Sequence, residues 1–370
     1  MKRIANVLRD GIDMQTAFVS HVRRATIEHP EGVRPSAGSD VLVGTRARSP
    51  IRLVARSLYR VARPVFRPIV LRVRSLLVGP IEDELRQQRR RIDEIWQFSQ
   101  AAGRRVAVAC GPDKVLVRTE AGYALCSTHD LGTLAVLIER GDLERGTRRL
   151  IERLIEPGDV FVDVGANLGL HTLAAGRAMQ GRGRVYAIEP FGPTVELLRE
   201  SVLINGLSAI VEIHQAAASD HRGQQPLFLG PVSGHHSLLP LSPPQGSEPS
   251  SVDVPVVTLD DVLADAAPVN LMKIDVEGTE LEVLDGARSV IGRNEEIALI
   301  VEYGPSHLER AGRSAQDWFS RFDDLGLSFR EIDAETGRLY ERSIDSLADV
   351  ESTNLLFARP TALVWRRAAR

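Results

Sequence analysis

The clearest chemical pattern lies at the end of an apolar strand and in the loop that follows it. Residues 161–169 read FVDVGANLG, so Asp163 lies at the strand end, and Gly165 and Gly169 precede the helical pattern LHTLAAGRAM. A tight strand-to-helix turn lets backbone N–H groups approach a ligand, and a glycine has no Cβ to block that approach. The sequence therefore predicts a ligand-binding loop.

A carboxylate follows at the spacing that nucleotide-binding folds use. Glu189 lies twenty residues after Gly169, at the end of the apolar run RVYAIE, where it is placed to accept hydrogen bonds from a ribose diol. The loop lacks the middle glycine of G-x-G-x-x-G, which admits a pyrophosphate. Asp163 would repel phosphates and suits a ligand that carries an ammonium group. These features favour S-adenosylmethionine, although such glycine loops also occur by chance in α/β proteins.

Charged residues also end a second apolar strand. Residues 269–278 read VNLMKIDVEG, in which Lys273, Asp275 and Glu277 precede the helical pattern TELEVLDGARSVI. Carboxylates at the carboxyl edge of a parallel sheet face the crevice in which ligands bind. This strand end is therefore predicted to face the same ligand site.

The chain resembles a known family in five segments, taken in order: FVDVGANLGLHT, AIEPFGPTVELLRESVLING, VPVVTLDDVL, LMKIDVEGTELEVLDGA and IALIVEY. They are similar to the FkbM family of S-adenosylmethionine-dependent methyltransferases. The resemblance covers about residues 143–303 and is more specific than any one motif. It implies a Rossmann-like class I methyltransferase sheet of the α/β class, mostly parallel with a C-terminal antiparallel hairpin, and S-adenosylmethionine as cofactor.

The resemblance also implies a role for individual residues. Asp275 and Glu277 would lie near the transferred methyl group. The cofactor contacts would be Asp163, Gly165, Asn167 and Gly169 for the methionine part, Glu189 for the ribose hydroxyls, and Ala217, Ser219 and Asp220 for the adenine ring. A plainer alternative is that Asp163 or Asp275 caps the following helix and that Lys273 is a surface lysine.

A hydroxyl acceptor must lose its proton, and a general base contributes about 10² to 10⁴ in rate. The candidate catalytic residues are Asp275, Glu277, His235, His236 and Lys273, with Glu302 as a further carboxylate at the crevice edge. Both histidines lie in residues 230–251, a stretch rich in Pro, Gly and Ser that is predicted to form a lid. For them, a base, a metal ligand and a solvated surface residue remain alternatives. No metal site is expected, since neither cysteines nor a spaced histidine pair support zinc.

Composition limits the class of protein. The chain has 370 residues, of which 43% are hydrophobic, and a formal net charge of −3, which indicates a globular protein of one large domain plus extensions. Cys110 and Cys126 are too few for a disulfide framework and fit a reducing compartment. In the first 28 residues, charged residues interrupt every apolar run, which argues against a signal peptide. No apolar run is long enough to span a bilayer. A cytoplasmic enzyme is the expectation.

Charge is unevenly distributed along the chain. Residues 1–105 contain 21 Lys and Arg against 10 Asp and Glu, whereas the remainder contains 25 against 39. Residues 46–74 contain nine arginines, no acid, and an apolar stripe at helical spacing, interrupted by Pro64 and Pro68. This pattern predicts peripheral contact with the inner face of a membrane, with docking on the acidic body or on a partner helix as alternatives. Residues 81–98 have weak coiled-coil spacing and predict a solvated helix that can serve as a homo-oligomerisation arm.

These patterns divide the chain into four regions: a flexible segment and linker (residues 1–50), basic amphipathic and coiled-coil-like helices (51–102), a small β/α cap (103–150) and the methyltransferase domain (151–370). In the last region strands alternate with helices, which predicts a mostly parallel sheet covered on both faces. Strand candidates at residues 328–332 and 355–359 predict the antiparallel hairpin.

The predicted function is O-methyl transfer to a hydroxyl of a sugar, a glycan (including a lipid-linked one) or a natural product. Nucleic-acid methylation is an alternative, because the arginine-rich front suits phosphates. Against it, the body is acidic and no aromatic platform accompanies the arginines. A non-catalytic scaffold is a further alternative, which the intact set of Asp163, Glu189 and Asp275 disfavours.

Overall fold

The computed structural model describes residues 84–85, 87–92, 106–241 and 250–369. The chain divides into two units, Met1–Leu85 and Arg86–Arg370, and all the elements named below belong to the second. Residues 84–85 and 87–92 are helical, and the rest of residues 81–98 lies outside the described residues. The predicted linker and the arginine-rich segment also lie outside them. Among the described residues, none of the helices has the length and apolar character that crossing a membrane requires.

From residue 106 onwards, the described residues contain fourteen strands and ten α-helices, numbered here in chain order. The strands are β1 (Ala107–Ala109), β2 (Lys114–Arg118), β3 (Tyr123–Ser127), β4 (Val160–Val164), β5 (Arg184–Ile188), β6 (Val211–His214), β7 (Ala217–Ala218), β8 (Gly223–Phe228), β9 (Ser251–Val257), β10 (Leu271–Ile274), β11 (Ala298–Tyr303), β12 (Ser328–Ile332), β13 (Leu339–Tyr340) and β14 (Thr353–Ala358). The helices are α1 (Leu131–Arg140), α2 (Arg145–Leu154), α3 (Leu170–Ala178), α4 (Gly192–Ile204), α5 (Leu259–Val262), α6 (Glu280–Asp285), α7 (Arg288–Arg293), α8 (Pro305–Arg310), α9 (Ala315–Asp323) and α10 (Val364–Ala368).

Eight of the strands form the central sheet, in the order β13-β12-β14-β11-β10-β4-β5-β6. Strands β11, β10, β4, β5 and β6 are parallel, and β14 runs antiparallel to both β11 and β12. Strand β4, VFVDV, is apolar except for Asp163 and is buried along its whole length, as expected of a central parallel strand. The predicted α/β fold is confirmed, and the strands predicted near residues 328–332 and 355–359 are β12 and β14.

Alternate side chains of each central strand enter two different apolar layers. Phe161 packs with Leu173 of α3 in one layer, whereas Val162 packs with Leu284 of α6 in the other. Because side chains in a strand alternate between the two faces, Asp163 points to the α3 side, and Lys273, its register partner on β10, shares that face. Two charged side chains are thereby brought into an otherwise apolar layer.

The direction of winding reverses between β4 and β10. From β4 the chain crosses to β5 and β6 on one side, whereas β10 leads through α6 and α7 to β11 on the other. Such a switch point opens a crevice at the carboxyl ends of the two central strands, where open α/β sheets bind ligands. The fold therefore places the loop after β4 opposite the residues that follow β10.

The predicted small β/α cap has a three-stranded antiparallel sheet, β1-β2-β3, followed by α1 and α2. Strand β3 is fixed to α4, because Leu125 N donates to Ser201 Oγ at 2.9 Å and Asn205 Nδ2 donates to Tyr123 O at 2.7 Å. Leu125 lies in the same apolar layer as α3. A second small sheet, β7-β9-β8, flanks the crevice.

Candidate active site

The crevice opens into a concave cavity, whose empty space including its open mouth is about 600 Å³. Its walls come from the loop after β4, the end of β5, strand β7, the residues after β10 and the predicted lid. The sequence-predicted residues that line it are Gly165, Asn167, Glu189, Ala217, His236, Asp275 and Glu277. We call the side with Glu189 the cofactor end and the side with Asp275 the acceptor end.

The glycines of the loop are required by packing within the protein. Gly165 has φ +80°, and a Cβ there would lie 1.8 Å from the backbone oxygen of Asp275. Gly169 has φ +83°, and its Cβ would meet Leu198 Cδ1 at 2.2 Å. From the sequence we predicted that these positions lack a Cβ so that a ligand can approach. In the structure Gly165 must lack one for another reason, because the loop after β4 touches the backbone after β10.

Glu189 is held rigidly at the cavity wall. Its Oε2 accepts a hydrogen bond from Asn167 N and its Oε1 accepts one from Phe191 N, both at 2.9 Å. Only 6% of the residue is exposed, and this burial raises the pKa of its carboxyl to about 7, against the opposing effect of the two N–H donors. A carboxylate fixed in this way is suited to accept hydrogen bonds from vicinal hydroxyl groups.

An apolar wall completes the cofactor end. It consists of Pro190, Ala216, Ala217, Ala218, Leu227 and Leu238. Such a surface suits the faces of a purine ring. Sequence reasoning found Ala217 but missed the leucines, because β8 and the lid bring them in and neither segment has a motif of its own.

Asn167 offers the cavity an unsatisfied acceptor. Its backbone is left-handed, with φ +49°, and its Oδ1 is buried with no hydrogen-bond partner among the described residues. A buried acceptor without a partner is unfavourable in the free protein and favours a ligand that donates a hydrogen bond.

Asp163 and Lys273 lie beneath the cavity, outside its lining. Asp163 is 1% exposed and accepts a hydrogen bond from Thr172 Oγ1 at 2.6 Å. Burial raises the pKa of Asp163 to about 6, against the opposing effects of Lys273 and Thr172. Lys273 is also 1% exposed, and its Nζ lies 2.6 Å from Asp275 Oδ2 and 3.3 Å from Glu144 Oε2. The surface-lysine alternative for Lys273 is therefore excluded, and this lysine holds Asp275 in place.

Three further predicted contacts lie away from the cavity lining. Ser219 is buried behind it, and Asp220 is exposed and lies 2.6 Å from His221 Nδ1. Strand β7 has only two residues, and the chain then turns towards β8, which carries Asp220 outwards. His235 is exposed in a short 3₁₀ turn, Ser233–His235. Of the three predicted adenine contacts, only Ala217 lines the cavity.

His236 lies on the cavity from the lid. Its ring packs edge-on against Phe191 at 4.8 Å, and its Nδ1 accepts a hydrogen bond from Gly230 N at 3.1 Å. Burial lowers the pKa of this imidazole, which is therefore neutral at pH 7. With Nδ1 engaged as an acceptor, Nε2 carries the proton, so the ring can donate a hydrogen bond but has no free nitrogen to act as a base.

Acidic groups concentrate at the acceptor end. Asp275 and Glu277 line the cavity, and Glu277 has a left-handed backbone with φ +58°, a strained conformation that is often found at functional sites. Arg310 Nη2 donates to the backbone oxygen of Glu277 at 2.6 Å. Burial raises the pKa of the Glu277 carboxyl to about 7, an effect that the charge of Asp275 increases.

Sequence reasoning missed His307, which α8 places next to these carboxylates. Its Nε2 lies 3.1 Å from Glu277 Oε2, and its Nδ1 lies 3.9 Å from Glu302 Oε2. Burial lowers the pKa of His307. A single histidine two residues after a helix-initiating proline has no spacing pattern that would mark it, so only the fold reveals its position.

Comparisons with known proteins agree with this architecture. The family model described as methyltransferase FkbM domain matches residues 163–329. The chain is 30% identical over 159 residues to methyltransferase sdnD of Sordaria araneosa, which covers 35% of this chain and 61% of the relative. It is 31% identical over 163 residues to 31-O-demethyl-FK506 methyltransferase FkbM of Streptomyces tacrolimicus, with 36% and 60% covered. The chain thus spans about three fifths of the length of these relatives.

Two solved structures illustrate the structural likeness. Methyltransferase FkbM from Methylobacillus flagellatus has a TM-score of 0.35 and 16% identity, and covers 72% of this chain and 59% of that one. O-methyltransferase TomG from Streptomyces achromogenes has a TM-score of 0.34 and 13% identity, and covers 58% and 79% respectively.

The sheet, its switch point and the cavity form an α/β fold with a ligand site at the carboxyl ends of the central strands. Residues 163–329 match the FkbM methyltransferase domain, which supports S-adenosylmethionine as cofactor. The residues present fit that molecule. Glu189 can hold the ribose hydroxyls, the apolar wall can hold the adenine ring, and the unpartnered Oδ1 of Asn167 can accept a hydrogen bond from the ammonium group.

Proposed function

We propose that this domain transfers a methyl group from S-adenosylmethionine to a hydroxyl group of a sugar, a glycan or a natural product. One observation carries the proposal. A single cavity is lined by Glu189 at one end and by Asp275 and Glu277 at the other, so donor and acceptor sites are continuous. A methyl transfer needs this continuity, because the two reactants must meet in line with water excluded.

The acceptor end is suited to an alcohol because it offers proton acceptors. Bound S-adenosylmethionine supplies a methyl group on a positively charged sulfur. Asp275 can take the proton of the hydroxyl as the new C–O bond forms, and Lys273 Nζ, 2.6 Å from Asp275 Oδ2, fixes the orientation of that carboxylate. Lid residues Gly234 and His236 line the cavity and can exclude water.

The choice of acceptor class is supported by a relative. The name 31-O-demethyl-FK506 methyltransferase FkbM describes O-methylation of a natural product. We extend that chemistry to sugars and glycans, including lipid-linked ones at the cytoplasmic face of a membrane, because residues 46–74 have the basic amphipathic pattern that an anionic surface attracts. Homo-oligomerisation through residues 81–98 stays a prediction.

The test measures cofactor binding and transfer separately. Calorimetric titration of the full chain with S-adenosylmethionine should show one site. Transfer of a labelled methyl group to a panel of macrolides, free sugars and glycolipids, with NMR of the product, should then show an O-methyl group. Methylation of nitrogen or carbon would contradict the proposal. A folded sample that binds no cofactor would favour a non-catalytic scaffold.

A further inference from the structure

A group of potential metal ligands stands at the acceptor end. Glu277 follows β10, Glu302 lies in β11 and His307 lies in α8, and one donor atom from each of them lies within 4.8 Å of the others. Two ligands of one ion, each about 2.1 to 2.4 Å from it, lie at most ~4.8 Å apart. The three side chains therefore have a spacing that one ion can bridge after small adjustments.

Two of these side chains have unsatisfied atoms. Glu302 Oε2 and His307 Nδ1 are buried with no hydrogen-bond partner among the described residues, and they lie 3.9 Å apart. Buried polar atoms are nearly always paired, so two unpaired atoms of opposing elements that face each other require an explanation. An electron-pair acceptor between them, such as a metal ion, would satisfy both.

The charges around these atoms do not balance. Lys273 is engaged by Asp275 and Glu144, and Arg310 makes its shorter bond to the backbone oxygen of Glu277. Within the described part of the chain, no lysine or arginine forms an ion pair with Glu302.

We propose that Glu277, Glu302 and His307 bind a divalent cation beside the acceptor hydroxyl. Carboxylate oxygens suit Mg²⁺ and Mn²⁺, and an imidazole shifts the preference towards Mn²⁺ and other transition metals. Three protein ligands leave positions open for water and substrate. Glu277 lines the cavity, so an ion held there would be within reach of the acceptor.

The catalytic role of the ion rests on the proposed function, whereas its binding does not. The acceptor oxygen would donate one lone pair to the cation, which makes its proton easier to remove. The proton would pass to the Asp275 carboxylate. A lone pair of the same oxygen would form the new C–O bond, and the electron pair of the broken C–S bond would remain on sulfur.

The test is Mn²⁺ binding to the full chain after treatment with a chelator, followed by electron paramagnetic resonance and calorimetry without acceptor. We expect one saturable site, with Kd raised at least about tenfold in Glu302→Gln and unchanged in Glu309→Gln, an exposed control on the same helix as His307. Coupling of the Mn²⁺ signal to an imidazole nitrogen should disappear in His307→Gln. S-adenosylmethionine binding in each variant verifies the fold.

Two outcomes would overturn the inference. The first is no saturable Mn²⁺ binding by a sample that binds the cofactor, which would mean that Glu302 keeps a proton instead. The second is equal Mn²⁺ affinity in the wild type and Glu302→Gln. Saturable binding with nitrogen coupling, in a protein that methylates none of the hydroxyl acceptors, would support the cation site and count against the proposed function alone.

Discussion

The two ends of the cavity hold their carboxylates in different ways. At the cofactor end, both oxygens of Glu189 accept hydrogen bonds from backbone N–H groups, and the donors lie 2 and 22 residues away in sequence. At the acceptor end, Glu277 is held by side chains of His307 and Arg310, about thirty residues further along, and Glu302 keeps an unpartnered oxygen. The carboxylate of the first end is therefore fixed by backbone groups, whereas the carboxylates of the second are held by side chains and keep unused bonding capacity.

This difference matches what each end must do. The cofactor is the same molecule in every cycle, so a rigid site satisfied by backbone groups loses little entropy when it binds. The acceptor must be bound, deprotonated and released, and a group whose bonds were all satisfied within the protein could not take its proton. The proposed proton acceptor is Asp275, whose Oδ2 is oriented by Lys273, and the unpaired atoms of Glu302 and His307 are those that the proposed cation would satisfy.

The largest expected effect separates the two ends by function. Asp275→Asn removes the proposed proton acceptor and should lower kcat by about 10² to 10⁴. The Kd for S-adenosylmethionine should stay close to the wild-type value, because Glu189 and the apolar wall are untouched. Single-turnover kinetics and calorimetry measure the two quantities.

Asp220→Asn is a suitable control for Asp275→Asn, because this aspartate is exposed and its side chain bonds to His221. It should leave both kcat and Kd unchanged. A tenfold loss of cofactor affinity in Asp275→Asn would mean that the two ends are not separable in this way.

The second largest effect is expected where the loop after β4 touches the backbone of Asp275. In Gly165→Ala the new Cβ would lie 1.8 Å from the backbone oxygen of Asp275, so the loop must move. We expect a loss of about 3 to 5 kcal/mol in the free energy of unfolding, measured with urea, together with weak cofactor binding.

Gly181→Ala is the matched control, with φ +76° and no atom within 4 Å of the added Cβ. It should cost only the backbone strain of about 1 to 2 kcal/mol. Equal costs would show that the loop contact has room to relax.

The contrast also explains which parts the sequence could predict. Gly165, Asn167 and Glu189 fall within 25 residues and follow from a strand–turn–helix pattern, so the cofactor end was recognisable. The parallel strands were recognisable as well, because buried runs such as ALIV, residues 298–301 of β11, are continuously apolar. His307 was not, since its contact with Glu277 depends on how α8 packs beside the end of β10.

The burial of charged side chains was the other property that could not be predicted from the sequence. A carboxylate before a glycine loop is compatible both with a ligand contact and with a position under the helix. The structure places Asp163 under α3 with Thr172. In the same way the sequence around Lys273 was compatible both with a catalytic role and with a surface position, and the register of β10 against β4 puts it beside Asp163. Both outcomes depend on long-range pairing of strands.

A pH dependence is expected at the cofactor end. Burial raises the pKa of Glu189 to about 7, and ribose hydroxyls donate more strongly to its ionised form. Because binding favours the deprotonated carboxylate, affinity should be high at pH 8 and fall as the pH drops through 7. The Kd should rise about tenfold between pH 8 and pH 6, as measured by calorimetry.

Glu189→Gln isolates this titration, because glutamine keeps the shape and does not ionise. Its affinity should be lower at pH 8, and any dependence on pH that remains belongs to the ligand or to the other titrating carboxyls, Asp163 and Glu277. If wild type and Glu189→Gln show the same slope, the carboxyl of Glu189 is not the group that titrates.

The smallest effect concerns the lid, which connects the two ends. Ser237 Oγ donates to the backbone oxygen of Glu277 at 2.8 Å, while neighbouring Gly234 and His236 line the cavity. Ser237→Ala removes this buried hydrogen bond, worth about 1 kcal/mol, together with the bond that Ser237 Oγ accepts from Leu239 N at 3.1 Å, and should raise the dissociation rate of the cofactor about fivefold in stopped-flow experiments. Ser346→Ala removes a similar but exposed bond to Ser343 O and should change nothing. An unchanged dissociation rate in Ser237→Ala would mean that this bond does not limit opening. The lid would then be held by other hydrogen bonds, such as the one that Ser233 N donates to Asp130 Oδ2 of the cap at 3.0 Å.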